Sequence, residues 1–194
     1  MPKKLKRKLK VLLPLKLNFG AGNHKMDGYK SVDLYAPEAD VRCDLFQFPL
    51  PWKDGSVDEI YSSHFVEHIP QKLRWPFFEE CWRILKVGAV MKFFVPNWKS
   101  ERAYGDMTHE WPPVTTMAFY YLNAVWRTAN QLDYGPYALK CNFEMQAGPT
   151  GAMPEFAQKT QEVQLFAFTH YLESYPDMWV TLKKLEMPPP EKKK

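Results

Sequence analysis

Lys16-Leu17-Asn18-Phe19-Gly20-Ala21-Gly22-Asn23 passes from a short apolar strand into a glycine-bearing turn, and Lys30-Ser31-Val32-Asp33-Leu34 then ends a second strand on an acid. Glycine lets the main chain turn tightly and approach a ligand, because no side chain stands in the way. A third strand is expected over Asp40-Val41-Arg42-Cys43-Asp44-Leu45, closing again on aspartate and leucine. Open parallel sheets bind ligands at the carboxyl ends of their strands, and an acid there can accept hydrogen bonds from both ribose hydroxyls of an adenosine. Asp33 is placed for that role. Asp44 can accept from an adenine amino group, with Leu45 offering its amide and an apolar face to the base.

Outward from this stretch, Phe48-Pro49-Leu50-Pro51-Trp52 reads as a loop closed by the turn signal Asp54-Gly55, followed by a fourth strand over Val57–Ser62. Between Gln71 and Leu85 the apolar side chains of Leu73, Phe77, Phe78, Cys81, Trp82 and Leu85 recur at three- and four-residue spacing, which predicts an amphipathic helix. Pro76 is expected in its first turn and Gly88 as its left-handed cap. A fifth strand is predicted over Val90–Pro96. Strands alternating with helices at this density point to an α/β domain, doubly wound around a mostly parallel sheet with helices on both faces.

The second half is less regular: helix over Thr115–Gln131, extended chain over Cys141–Gln146, a mobile glycine- and proline-rich loop over Gly148–Pro154, helix over Val163–Tyr175, and a last strand over Met178–Met187. The expected layout is one domain over 16–187, with a cofactor half at 16–97 and a lid and substrate half at 98–187. Tails at 1–15 and 188–194 flank it.

The 194 residues carry a formal charge of +4, unevenly distributed. Lys3, Lys4, Lys6, Arg7, Lys8 and Lys10 crowd the start, and Lys192, Lys193 and Lys194 stand beside Glu191 at the end. Setting these nine cations and one anion aside from the 26 basic and 22 acidic residues leaves 17 and 21, a net charge of −4. An acidic body disfavours nucleic acid as the partner, since phosphate recognition needs a basic face. Cys43, Cys81 and Cys141 are widely spaced with no CxxC pair, so neither a disulfide framework nor a metal site is expected, and a reducing cytoplasm fits. Val11–Leu15 is too short and proline-broken to span a membrane or to serve as a signal peptide.

The ordered series Leu17 to Gly22, Gly28 to Asp33, Asp40 to Leu45 and Trp52 to Asp58 resembles the class I S-adenosylmethionine-dependent methyltransferases. So do Ser62-Ser63-His64-Phe65-Val66-Glu67-His68-Ile69, Arg83 to Gly88 and Val95-Pro96-Asn97. More narrowly, the chain is similar to a branch in which the first helix is nearly lost between the glycine loop and the ribose-binding acid. Ala21 stands where that family usually has cysteine or serine, and Val87-Gly88-Ala89 replaces its proline-glycine-glycine.

The resemblance implies a Rossmann-like seven-stranded sheet and S-adenosyl-L-methionine as cofactor. It puts Gly20, Ala21, Gly22 and Asn23 at the methionine end, Asp33 and Leu34 at the ribose, and Asp44 and Leu45 at the adenine. Ser63 and His64 would close the pocket near the sulfonium. Asp106-Met107-Thr108-His109 resembles an Asp-x-Thr-His element that follows the fifth strand in related enzymes. Asp106, His109 and His68 are accordingly the catalytic candidates, an imidazole with an ordinary pKa near ~6.5 being a suited proton acceptor. The implied reaction is methyl transfer to an oxygen or nitrogen nucleophile of a small-molecule, sugar or macromolecular acceptor, with no metal required. Two other readings stand beside it: a non-catalytic module of the same fold, and a nucleic-acid methyltransferase attached through its basic tail. The sequence names neither the acceptor nor an oligomeric state.

Overall fold

A computed structural model describes residues 13–189; the basic stretch 1–10 and Lys192–Lys194 lie outside them. Seven strands form one sheet: β1 Lys16–Phe19, β2 Lys30–Asp33, β3 Val41–Arg42, β4 Val57–Ser63, β5 Leu85–Pro96, β6 Phe143–Thr150 and β7 Asp177–Lys184. Their order is β3-β2-β1-β4-β5-β7-β6, with β1 to β5 parallel and β7 antiparallel to both β5 and β6. This is the expected α/β architecture, its sheet mixed only through β7.

Alternate residues of the strands build one apolar face. Leu17 and Phe19 of β1, Ile60 of β4, Phe93 of β5 and Val180 of β7 are almost wholly buried. Helix α1, Gln71–Ile84, covers that face with Phe77, Phe78, Cys81 and Ile84. Phe77 meets Phe19 at 6.2 Å between ring centroids, and Phe78 meets Phe93 at 6.0 Å. On the other face Glu59 bridges Lys16 and Lys92, each at 2.9 Å.

Several sequence expectations are corrected. β3 is only Val41–Arg42 because the Asp44 carboxylate takes the Phe46 amide at 2.9 Å and its carbonyl takes the Gln47 amide, turning the chain early. Pro76 falls in the second turn of α1, not the first. Gly88 caps no helix: α1 ends at Ile84, Leu85 already pairs with Val57, and Gly88 at φ +80° lies in the irregular stretch before Val90 pairs with Glu59.

After the short helix α2 Arg102–Gly105, the predicted helix over Thr115–Gln131 is two short ones, α3 Thr116–Tyr120 and α4 Ala124–Ala129. Asn123 breaks it by accepting the Trp126 amide at 2.8 Å and donating to the Phe143 carbonyl at 2.8 Å, a side-chain cap that competes with helix continuation. Gly148–Thr150 belong to β6 rather than to a loop, and a Cβ on Gly148 would sit 2.8 Å from the Trp179 indole, so this glycine serves a close cross-strand contact. The predicted helix at Val163 starts earlier, as α5 Pro154–Ala157 and α6 Gln161–His170, and stops at His170 rather than Tyr175. β7 ends at Lys184, short of Met187.

Candidate active site

The carboxyl ends of β1, β2 and β4 open onto a cleft of three joined cavities. The first, about 320 Å³, is lined by Gly20, Gly22, Asp33, Leu34, Asp44 and Leu45, with Tyr35, Cys43, Phe46 and Phe65 completing its wall. The second, about 670 Å³, holds Ala21, Ser63 and His64 with Asn18, Lys25 and Met26. A third and wider one, about 960 Å³, brings His64, His68, Asp106 and His109 together with Glu67 and Arg102. Gly20 and Gly22 border the first two cavities, His68 the first and third, and His64 the second and third. Every sequence candidate but Asn23, which is exposed and lines none of the three, therefore lines at least one of these neighbouring cavities.

Gly20 and Gly22 take φ of +62° and +52°, a region that L side chains enter at a cost of roughly 1–2 kcal/mol. Asp33 ties this turn to the next strand. Its Oδ2 accepts the Gly22 amide at 2.8 Å and its Oδ1 the Tyr35 and Ala36 amides at 2.8 and 2.9 Å. Partial burial pushes its pKa up, but the three amides outweigh that and hold the carboxyl below its ordinary value, so it is ionised near neutrality. Oδ2, with one amide, keeps acceptor capacity for a ligand hydroxyl. Asp33→Ala should accordingly weaken S-adenosylmethionine binding by about 1.5–3 kcal/mol, roughly 10–150-fold, in a calorimetric titration; unchanged affinity would move the ribose elsewhere.

Hydrogen bonds across the chain shape the third cavity. His68 Nδ1 lies 3.2 Å from the Thr108 carbonyl and 3.0 Å from Thr108 Oγ1, and His109 Nδ1 lies 3.3 Å from the Ala103 carbonyl. A carbonyl only accepts, so Nδ1 is the donor in both imidazoles, and the neutral tautomer that fits leaves a lone pair on Nε2. Asp106 Oδ1 accepts from the amide and hydroxyl of Thr108, at 2.8 and 2.7 Å, and its Oδ2 is 3.8 Å from His109 Nε2. These two acceptor bonds hold the Asp106 carboxyl below its usual range. His64, at φ +51°, donates its backbone amide to the Phe94 carbonyl and sets Nδ1 3.2 Å from Glu67 Oε1, whose hydrogen bond, and then its charge, raise the imidazole pKa against the opposing effect of burial.

Sequence reasoning passed over Glu67, Asn18 and Phe65. Glu67 could have been found: it stands three residues after one histidine and directly before another. Asn18 alternates with the buried Leu17 and Phe19 and so faces the second cavity. Nothing local marks Phe65, whose ring closes over a glycine 45 positions away.

The backbone cradle at Gly22, where a Cβ would meet nothing within 4 Å, together with a free carboxylate lone pair and an apolar wall at Leu45 and Phe46, suits an adenosine bearing a charged amino-acid tail. Residues 26–93 match the family model described as a methyltransferase domain. Among curated protein sequences none matches the chain. An S-adenosylmethionine-dependent methyltransferase from Archaeoglobus fulgidus shares the fold at a TM-score of 0.63 and 17% identity, over 88% of this chain and 86% of that one. A Listeria monocytogenes protein assigned to the same class gives 0.53 and 14%, over 90% and 91%. Geranyl diphosphate C-methyltransferase from Streptomyces coelicolor, solved with Mg2+, geranyl diphosphate and S-adenosyl-L-homocysteine, gives 0.50 and 13%, over 89% and 71%. Residues 26–93 thus carry the match to a methyltransferase domain, and the whole chain shares its fold with S-adenosylmethionine-dependent methyltransferases.

Proposed function

We propose that the chain transfers a methyl group to an oxygen or nitrogen nucleophile of an acceptor held between β5 and the Gly105–His109 segment. The observation that carries this reading is that His68 borders the first and third cavities and His64 the second and third. When bound, S-adenosylmethionine supplies a methyl group made electrophilic by its sulfonium. Asp33 and Asp44 hold the nucleoside in the first cavity, with Leu34 and Leu45 as its apolar contacts. Gly20, Ala21 and Gly22 admit the methionine part beside Ser63 and His64.

The chain's own contribution is mostly positioning, since a displacement of this kind gains most from aligned reactants. Nε2 of His109 or His68 takes the acceptor's proton, and Asp106 orients the segment that carries His109 through its two bonds to Thr108. Glu67, Glu101 and Asp106 line the third cavity, and its Arg102 is already paired to Asp177 at 2.9 Å. Such a cleft favours a neutral or cationic acceptor over a polyphosphate.

Calorimetric titration with S-adenosylmethionine, followed by a screen for transfer of labelled methyl to hydroxyl- and amine-bearing acceptors, tests the reading. Micromolar binding and transfer lost in His109→Ala are expected. A folded protein that binds no cofactor at about millimolar concentration would leave only a non-catalytic module of this fold.

A further inference from the structure

We propose that Glu67, His68 and His109 form a binding site for one divalent transition-metal ion on the acceptor side of the cleft. One ligand atom from each of the three lies within 4.8 Å of the others. Donors at about 2.1 Å from a shared ion stand roughly 3.4 Å apart in a tetrahedral arrangement, so side-chain adjustments of about an ångström bring the three onto one ion.

Two independent features point to a cation. Glu67 is only 4% exposed, and while its Oε1 meets His64, its Oε2 is buried with no hydrogen-bond partner. A buried carboxylate oxygen left bare is costly, and a cation in the adjoining cavity would compensate it. The second is the anchoring of the imidazoles. Each gives its Nδ1 proton to a backbone carbonyl, Thr108 for His68 and Ala103 for His109, which is how metal-binding histidines are held with Nε2 free to ligate. The two rings stand 4.8 Å apart between centroids. Two imidazoles and one carboxylate suit Mn2+, Co2+ or Zn2+ better than Mg2+ or Ca2+, and three protein ligands leave positions open to the 960 Å³ cavity.

The consequence for the acceptor rests on the methyl-transfer reading, which it deepens. With the ion bound, both Nε2 lone pairs would be occupied and the proton transfer to a histidine would belong to the ion-free site alone; an acceptor hydroxyl at an open position would instead be made more acidic by the ion and would lose its proton to solvent through the open cleft. The ion binding itself needs no such premise.

The test uses chelator-treated, full-length protein without S-adenosylmethionine, titrated with MnCl2 by electron paramagnetic resonance and with CoCl2 by visible absorption. One ion per chain is expected, with a Co2+ spectrum of mixed nitrogen and oxygen ligation. Glu67→Gln and His109→Ala should each weaken binding at least about tenfold. His170→Ala, on α6 away from the cleft, should not. Cofactor affinity measured on the same variants reports folding. Absence of ion binding at about 1 mM in folded protein would overturn the site, as would binding that Glu67→Gln and His109→Ala leave intact. If the ion binds but no cofactor does, the metal site stands and the methyl-transfer reading fails; if the cofactor binds and the ion does not, the reverse holds.

Discussion

Gly20→Ala should cost about 2–5 kcal/mol of stability and most of the cofactor affinity. Two penalties combine there. At φ +62° an alanine enters the left-handed region at roughly 1–2 kcal/mol. Its Cβ would also fall 2.4 Å from Phe65 Cδ2, 2.5 Å from Cγ and 2.7 Å from Cβ, an overlap of the kind that costs about 1–3 kcal/mol to relieve. Phe65 cannot simply swing aside, because the clash reaches its own Cβ and its ring is packed against Phe46 at 5.7 Å and Phe77 at 6.0 Å. The room left to it is the first cavity, which it lines and which is proposed to hold the nucleoside. Destabilisation and loss of binding should therefore appear together, the first as a fall in Tm of roughly 5–15 °C. Gly22→Ala is the control: φ +52° carries the same strain, but nothing stands within 4 Å, so its Tm should drop far less. Equal effects at the two positions would mean that Phe65 does not fix the turn.

That contrast shows where the sequence was readable. The turn after β1, the acids at Asp33 and Asp44 and the helix at Gln71–Ile84 were legible because each is written in adjacent residues or in a short period. The reason Gly20 must be glycine was not, since its partner lies 45 positions on. For Glu67 the adjacent histidines are a signal, but its burial is not: Val66–His68 is a single 3-10 turn, too short to show a burial period, and His109 comes within reach of the carboxylate only through the fold. β6 extends to Thr150 only because β7 pairs with it, so its glycine and proline misread as a loop. The second half is assembled by side chains reaching across the chain, and one of them is an arginine that no periodicity would place in a core.

Arg127→Met should prove the most damaging single change in that half. Arg127 is 1% exposed, and its guanidinium donates to the carbonyls of Tyr121 at 2.7 Å, Leu139 at 2.9 Å and Cys141 at 3.1 Å, while Nε sits 3.7 Å from Asp133. Methionine keeps much of the volume but leaves these three carbonyls without a donor, two of them in buried residues, and unmet buried acceptors cost roughly 1–3 kcal/mol each. Set against the relief of burying a charge, the net loss should be about 3–5 kcal/mol, a Tm lower by roughly 6–20 °C. Arg127→Lys should recover only part of it, since one ammonium cannot match a planar fork aimed at three oxygens. The segment so held packs Tyr121 and Tyr137 on Trp75 of α1 and leads through Cys141 and Asn142 to the start of β6 at Phe143. None of these contacts touches the Gly20 turn or Asp33, so at a temperature where the variant remains folded its affinity for S-adenosylmethionine should match that of the parent. A melt within about 2 °C of the parent would mean that the carbonyls find other donors. Cofactor affinity lost in step with stability would mean that the two halves of the sheet are coupled through β5.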